Sequence, residues 1–458
     1  MGTGLGHYIP IVAYLGFWIM CIVSLTGRPV LGMYYVMPFL PYRTMRFHFE
    51  DYPLASQTVT LLVVCVILGA FFKGKRLPPS ALYPVWILFV VYLYVSMWLG
   101  GIMGNAPLPL WLNDANLVTW KDYLILPMVL FAASMVLEDR KQIRTALIVV
   151  AISTALVDRS ALLESLSHSW AVFDENKRTS GPIAYGPNQL AAFLTQFAMF
   201  FWAFARVLKR FKTKFWFYVL TGFTLITMLY AFSRAAYIAT LVAIGALALL
   251  KDRKLLVVLV VFLVTWQTVV PTAVSERVNM THDANGQLEA SAQERVDLWT
   301  QSRDMFMKNP VTGIGFGSFQ FGEHTDNLKD THNYYVKVLV ETGLIGFLIF
   351  AAMLFIMFSA SWKLFRTAKL AKDPLYEALG LGMLLLLTSA LVLNGFGDRW
   401  SYVEINGLMW VVMGATLRAQ VLVNELNGAP SGQRKKLGPP RKFATAVPGP
   451  PRLVPQTR

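Results

Sequence analysis

Apolar residues in this chain come in blocks, with no alternation at the period of an amphipathic helix or a strand. Most blocks approach the roughly 20 residues that cross a bilayer as a helix. They lie at 9–25, 29–40, 54–72, 82–99, 120–137, 143–156, 188–206, 215–232, 235–250, 255–270, 334–360, 376–393 and 403–419. The pattern predicts an all-α polytopic integral membrane bundle of about 12 transmembrane helices with one large structured loop. The 29–40 block is too short to cross unaided and reads as half of a broken or re-entrant helix, which leaves the side of the N-terminus open. Three regions follow: 1–187, N-terminal helices and external loops; 188–419, a catalytic membrane region including loop 272–333; and 420–458, a basic tail rich in Pro and Gly, expected to be disordered and cytoplasmic. The first residues lack a basic stretch, so no cleavable signal peptide is expected.

Charge orients the bundle. Basic clusters at 73–76, 140–144, 209–214, 251–254 and 363–372 occupy every second connection, and Lys and Arg near span ends are retained on the cytoplasmic side. The connections at 41–53, 100–119, 157–187, Ser233, 272–333 and 394–402 are then external. Residues 272–331 carry five Lys or Arg against nine Asp or Glu, the opposite bias to the basic clusters.

Composition excludes other classes. Of 458 residues, 55% are hydrophobic and 15% charged, against about 25% charged in ordinary soluble domains. The net charge of +15 sits in short connections, so it speaks for membrane orientation and not for nucleic acid. Cys21 and Cys65 lie inside apolar blocks, too few for a Cys-based metal site.

Within the long loop, Ser291 and Glu294 form an S-x-x-E capping box, predicting a helix over 292–307 that stops before Pro310. Arg295, Trp299 and Arg303 recur every four residues, which puts the two guanidinium groups on one face about 12 Å apart. That face is either a solvated surface paired to Glu294, Asp297 or Asp304, or an anion clamp suited to phosphate. The alternate glycines of 313–317 permit tight turns and close backbone approach to a ligand, but lack the context of a nucleotide loop. His332 stands where the loop enters an apolar block, either structural or placed to handle the proton of an attacking hydroxyl. Arg234, between two apolar blocks, either snorkels to headgroups or faces a partner or cavity. Lys121 and Asp122 begin another block and pair with headgroups or with each other. Asn188, beside Pro187 at a helix start, serves as a cap or contacts ligand. Glu323, His324, Asp326, Asp330 and His332 are of ligand type but lack a recognised spacing, so no metal site is expected.

Taken in order, Ser233-Arg234-Ala235-Ala236, Arg295, Asn309 through Phe319, His332-Asn333-Tyr334-Tyr335 and Glu341-Thr342-Gly343-Leu344-Ile345-Gly346 resemble the bacterial O-antigen ligase and polysaccharide polymerase superfamily. The resemblance covers about 188–346. It implies an inverting-type, metal-independent membrane glycosyltransferase without cofactor, working at the periplasmic face of the inner membrane. The donor would be an undecaprenyl-diphosphate-linked oligosaccharide; the acceptor would be a hydroxyl of glycan, lipid A core or protein. By matching position, Arg234 and Arg295 would grip the diphosphate and His332 would orient or deprotonate the acceptor. Arg303, Lys121, Asn188 and Tyr335 are further candidates for substrate binding. No feature ties the chain to lipid A core, so a polymerase of an exported polysaccharide is expected ahead of a ligase. A flippase and a chain-length regulator would be its partners; no nucleic acid is expected. The competing class is a lipid-linked oligosaccharide transporter, which should show ionisable residues deep in several spans or matching broken helices in the two halves of the chain. A noncatalytic scaffold is the third, and would tolerate loss of Arg234 and His332.

Overall fold

A computed structural model describes residues 8–49, 52–54, 57–167, 173–280, 290–322 and 329–428. Among them regular structure is entirely helical: α1 (Ile9–Leu25), α2 (Pro29–Val36), α3 (Arg43–Phe47), α4 (Thr58–Phe72), α5 (Leu82–Ile102), α6 (Ala115–Tyr123), α7 (Ile125–Val136), α8 (Arg140–Leu166) and α9 (Pro187–Val207). There follow α10 (Phe211–Leu229), α11 (Arg234–Leu250), α12 (Lys254–Val269), α13 (Thr272–Asn279), α14 (Ala290–Lys308), α15 (Ser318–Phe321), α16 (Tyr334–Leu370), α17 (Pro374–Asn394) and α18 (Val403–Gly428), with short 3-10 turns between some of them.

Every apolar block carries helix. Seven segments are long and apolar enough to cross a membrane, or eight if α12 and α13, bent by 103°, count as one. The expected count of about 12 is not reached, because α1, α4 and α11 have only 15 to 17 residues and α10 opens with Lys212 and Lys214. The chain is a multi-pass membrane protein. Its centre is α9, α17 and α18, the most deeply buried of the seven; α12 has no buried residue and forms an outer wall.

Side-chain caps open a few of the long helices. Asp139 accepts from the Gln142 backbone at the start of α8, and Asp373 from Leu375 and Tyr376 at the start of α17. Helix α8 continues to Leu166, which places Asp158 inside it, buried, with Oδ2 accepting from Thr224 at 2.6 Å. Helix α18 continues past Ala419 to Gly428, and the rest of the basic tail lies outside the described residues.

The connections gather into two sets. Lys75 pairs with Glu138 at 2.7 Å, Arg140 with Asp373, Arg206 with Asp252 and Lys251 with Glu377, so the basic clusters come together at one end. Between α1 and α4 the chain climbs beside α8, with Tyr34 donating to the Gln142 carbonyl and Tyr42 to that of Leu156, about 21 Å further along that helix. Block 29–40 therefore runs much of the length of the bundle as α2 and a 3-10 turn. At the far end Tyr14 donates to Pro53, so the start of α1 lies opposite the basic clusters.

Helix α16 breaks at Gly343, at φ 62° and ψ −167°. A break in a membrane helix frees backbone groups that must find partners inside the protein. Here the loop after α14 supplies them: Ile314 and Gly315 donate to the carbonyls of Val340 and Glu341, and the N–H groups of Leu344 and Ile345 reach Pro310 and Val311. Tyr92 and Ser96 of α5 bond the carbonyls of Thr342 and Glu341. The alternate glycines thus serve backbone-to-backbone packing: a Cβ on Gly313 would sit 2.5 Å from Glu341, and one on Gly315 2.4 Å from Gly100.

Candidate active site

At the end opposite the basic clusters, Arg234 opens α11 directly after Phe232, a non-glycine residue held at φ 50°. The turn is fastened from the side by Arg178, which is buried: its Nε and Nη2 donate to the Ala231 carbonyl, Nη2 to Asn188 at 2.9 Å and Nη1 to Glu175 at 2.8 Å. Burial pulls the Arg178 guanidinium below its ordinary value, and Glu175 pulls it back. The oxygen of Asn188 is thus engaged by Arg178. Arg277 of α13 joins Glu175 at 3.2 Å and lies over the Phe173 ring. Three arginines converge here on few carboxylates. Arg234 itself donates to the Met280 carbonyl and stands on the wall of a groove of about 560 Å³. The groove is otherwise almost wholly apolar, lined by α10, α11, α12 and α13 through residues such as Ile238, Leu241, Val258, Phe262 and Trp266.

The second half of the site is built on the entry to α16. Asn333 caps it, accepting from Tyr335 and Val336. His332 is held at φ 50°, its backbone N–H donating to Asp330 at 2.8 Å and its Nδ1 lying 3.2 Å from the same carboxylate. Helix α14 is attached to this turn, for Trp299 Nε1 donates to the Thr331 carbonyl at 2.9 Å and Lys329 pairs with Glu294. That bond from Lys329 holds the Glu294 carboxyl below its usual range. Arg295 is half-buried and lies within electrostatic reach of the buried Arg399.

A model of the O-antigen ligase family matches residues 217–351. That segment is similar to the O-antigen ligase domain. The match spans less than a third of the chain but includes Arg234, Arg295, Arg303, His332 and Tyr335. It bears out the resemblance to the ligase and polymerase superfamily and supports an activity of ligase or polymerase type, drawing on a lipid-linked glycan within a membrane. No curated protein matches the chain.

The expected residues fall into separate places. Arg234 belongs to the apolar groove; His332 belongs to the turn before α16, and Arg295 to α14, which Trp299 ties to that turn. Residues 281–289, between α13 and α14, lie outside the described set, as do Glu323, His324 and Asp326 of the expected ligand-type cluster. Arg303 is exposed, with no hydrogen bond or ion pair among the described residues. Arg295 and Arg303 share helix α14, eight residues apart and so about 80° from each other around its axis. Lys121 is exposed on the rim of a second cavity that shares no lining residue with the groove. Tyr335 donates its hydroxyl to Leu391 at 2.7 Å, a contact that locks α16 to α17.

Sequence reasoning missed Asp330 as the partner of His332, although a carboxylate two residues before a candidate base was visible. It also missed Arg178, Arg277 and the buried pair of Lys337 with Asp398 at 3.1 Å. Asp398 further accepts from the backbone of Trp400 and from both the backbone and hydroxyl of Ser401. Lys337 and Glu341 lie buried within α16 and Asp158 within α8, so the expectation that charge stays at span ends holds only in part.

Proposed function

We propose that the protein is an inverting-type membrane glycosyltransferase that polymerises undecaprenyl-diphosphate-linked oligosaccharide repeat units of an exported polysaccharide at the periplasmic face of the bacterial inner membrane. The observation that carries this is the apolar groove with Arg234 on its wall, inside the family-matched region. A prenyl tail fits such a groove, and a diphosphate placed beside Arg234 meets the convergence of Arg178, Arg234 and Arg277.

Chemistry then proceeds by displacement. The acceptor hydroxyl oxygen bonds to the anomeric carbon of the donor glycan as the bond from that carbon to the diphosphate oxygen breaks. Negative charge develops on the leaving diphosphate, where fixed guanidinium groups are most effective. Arg234, from the groove, and Arg295, from the His332 side of the site, supply the positive charge that balances it, with no metal needed. With Asp330 accepting from Nδ1–H, His332 offers Nε2 to the acceptor proton, an orienting role familiar from acid–base dyads. Positive φ at both Phe232 and His332 places backbone strain at the two ends of this chemistry.

Transfer to lipid A core or a protein hydroxyl uses the same geometry and is the second reading, favoured by the ligase description of the matched family. The deciding experiment follows glycan on the carrier in a strain lacking the protein, complemented with wild type or His332→Ala. Single repeat units accumulating on the carrier in both the null and the variant support polymerisation. Long chains built on the carrier but never transferred make it a ligase. A normal glycan pattern in the null strain rejects both.

A further inference from the structure

The second cavity, of about 510 Å³, lies within the size range of small-molecule sites. We propose that it is the binding site for the uncharged sugar residues of the acceptor glycan, a role that rests on the reading of the protein as a glycan transferase. Its walls have the two faces a pyranose requires. Tyr185 and Tyr402 pack with ring centres 4.6 Å apart, offering aromatic surface to the C–H face of a sugar. Around them stand planar hydrogen-bonding groups: Gln57, Gln320, Asp122 and Arg46.

Electrostatics decides against an anion. Four cationic side chains line the cavity, but Lys337 is neutralised by Asp398 and Arg46 by Glu404, while Lys121 has Asp122 beside it on the rim. Arg43 lies 3.7 Å over the Tyr185 ring and stiffens that platform. The sum is close to neutral, unlike the arginine-rich end of the apolar groove, so a diphosphate is drawn there and a neutral polyol fits here. Hydrogen-bonding capacity remains: Arg46 Nε is buried without a protein partner, and the Asp122 carboxylate accepts no hydrogen bond among the described residues.

Placement links the cavity to the chemistry. Lys337 lies one turn of α16 beyond Asn333, and both Lys337 and Tyr402 feel the charge of Asp330, the partner of His332. An acceptor held here would therefore end close to the His332 turn. The N-terminal third of the chain thereby contributes to the site, since α3 supplies Arg43 and Arg46, and the start of α4 supplies Thr60, just beyond Gln57.

The test uses full-length protein in detergent and, as probe, a lipid-free oligosaccharide cut by mild acid from the host's own exported polysaccharide, with binding read by saturation-transfer NMR. Wild type and Arg234→Ala, whose residue faces the donor groove, should bind alike. Asp122→Ala and Gln320→Ala should bind roughly tenfold more weakly, the loss of about one hydrogen bond to a charged or well-placed partner. No binding by wild type, or equal binding by all four proteins, overturns the proposal. If the null strain makes normal glycan while the cavity variants still lose the probe, the transferase reading fails and the sugar site stands. A working transferase whose acceptor KM is unmoved by either variant gives the reverse.

Discussion

Alanine at Gly343 should be among the most damaging single substitutions in the chain. At φ 62° and ψ −167° the residue occupies a region essentially restricted to glycine, where another residue costs of order 1–3 kcal/mol. Space is equally unforgiving: a Cβ would lie 2.3 Å from the Val311 carbonyl oxygen and 2.5 Å from the Gly313 nitrogen, both backbone atoms that cannot rotate away. Overpacking of this kind adds about 1–3 kcal/mol. The total, about 2–6 kcal/mol, is comparable with the whole stability of many folds, about 5–15 kcal/mol. Two controls separate the terms. Gly74 has φ 67° with nothing within 4 Å of a built Cβ, so Gly74→Ala should cost only the left-handed backbone, about 1–2 kcal/mol. Gly222, inside α10 and equally open, should gain up to about 1 kcal/mol as alanine. Thermal unfolding of the four proteins in one detergent, followed by size-exclusion fluorescence, should order them Gly222→Ala, wild type, Gly74→Ala and, far below, Gly343→Ala. A Gly343→Ala protein as stable as Gly74→Ala would refute the account of the helix break as a backbone joint with the 310–315 loop.

Three further outcomes are expected. Lys337→Met alone should destabilise by about 3–5 kcal/mol by leaving Asp398 buried and uncompensated, and Lys337→Met with Asp398→Leu should recover most of that in the same unfolding assay. Asp330→Asn should lower kcat and alter its pH profile while leaving donor KM and protein yield near wild type, because it acts on the orientation of His332; an unchanged profile would remove Asp330 from the mechanism. Glu294 has a folded-state pKa depressed by Lys329, so its contribution to holding α14 is present above the usual carboxylate range and is lost as pH falls through the depressed value. Limited proteolysis of α14 should therefore increase on acidification, and Glu294→Gln should be cut readily even at neutral pH.

Most of the bundle was legible because hydropathy is local: the block at 9–25 coincides with α1, and 188–206 falls one residue inside each end of α9. Motif order sufficed to reach the family, since Arg234, Arg295 and His332 stand in the matched segment. What resisted reading was pairing across distance. Lys337 and Asp398 are 61 residues apart, and nothing in the apolar block of the first or the connection of the second marks one as the counterion of the other. Arg178 lay in a loop with no motif, yet its hydrogen bonds hold the turn that carries Arg234. The glycines of 313–317 were read toward a ligand because close approach was inferred without its partner, which proved to be the broken α16 and Gly100. Helix extent misled in α8, where a hydropathy edge at Leu156 concealed nearly three further turns and the buried Asp158.

Helix α12 packs on α11 and buries none of its own residues, yet it forms one side of the groove beside Arg234. On the proposed function, a carrier lipid entering past such a wall would arrive sideways from the surrounding leaflet and never pass through water. The encounter is then two-dimensional. Saturation would follow the mole fraction of carrier among its neighbouring lipids and remain indifferent to the volume of buffer, and spent carrier would be returned to the same leaflet. Diluting the carrier with bulk phospholipid at fixed total concentration should slow turnover; diluting the whole proteoliposome suspension should not.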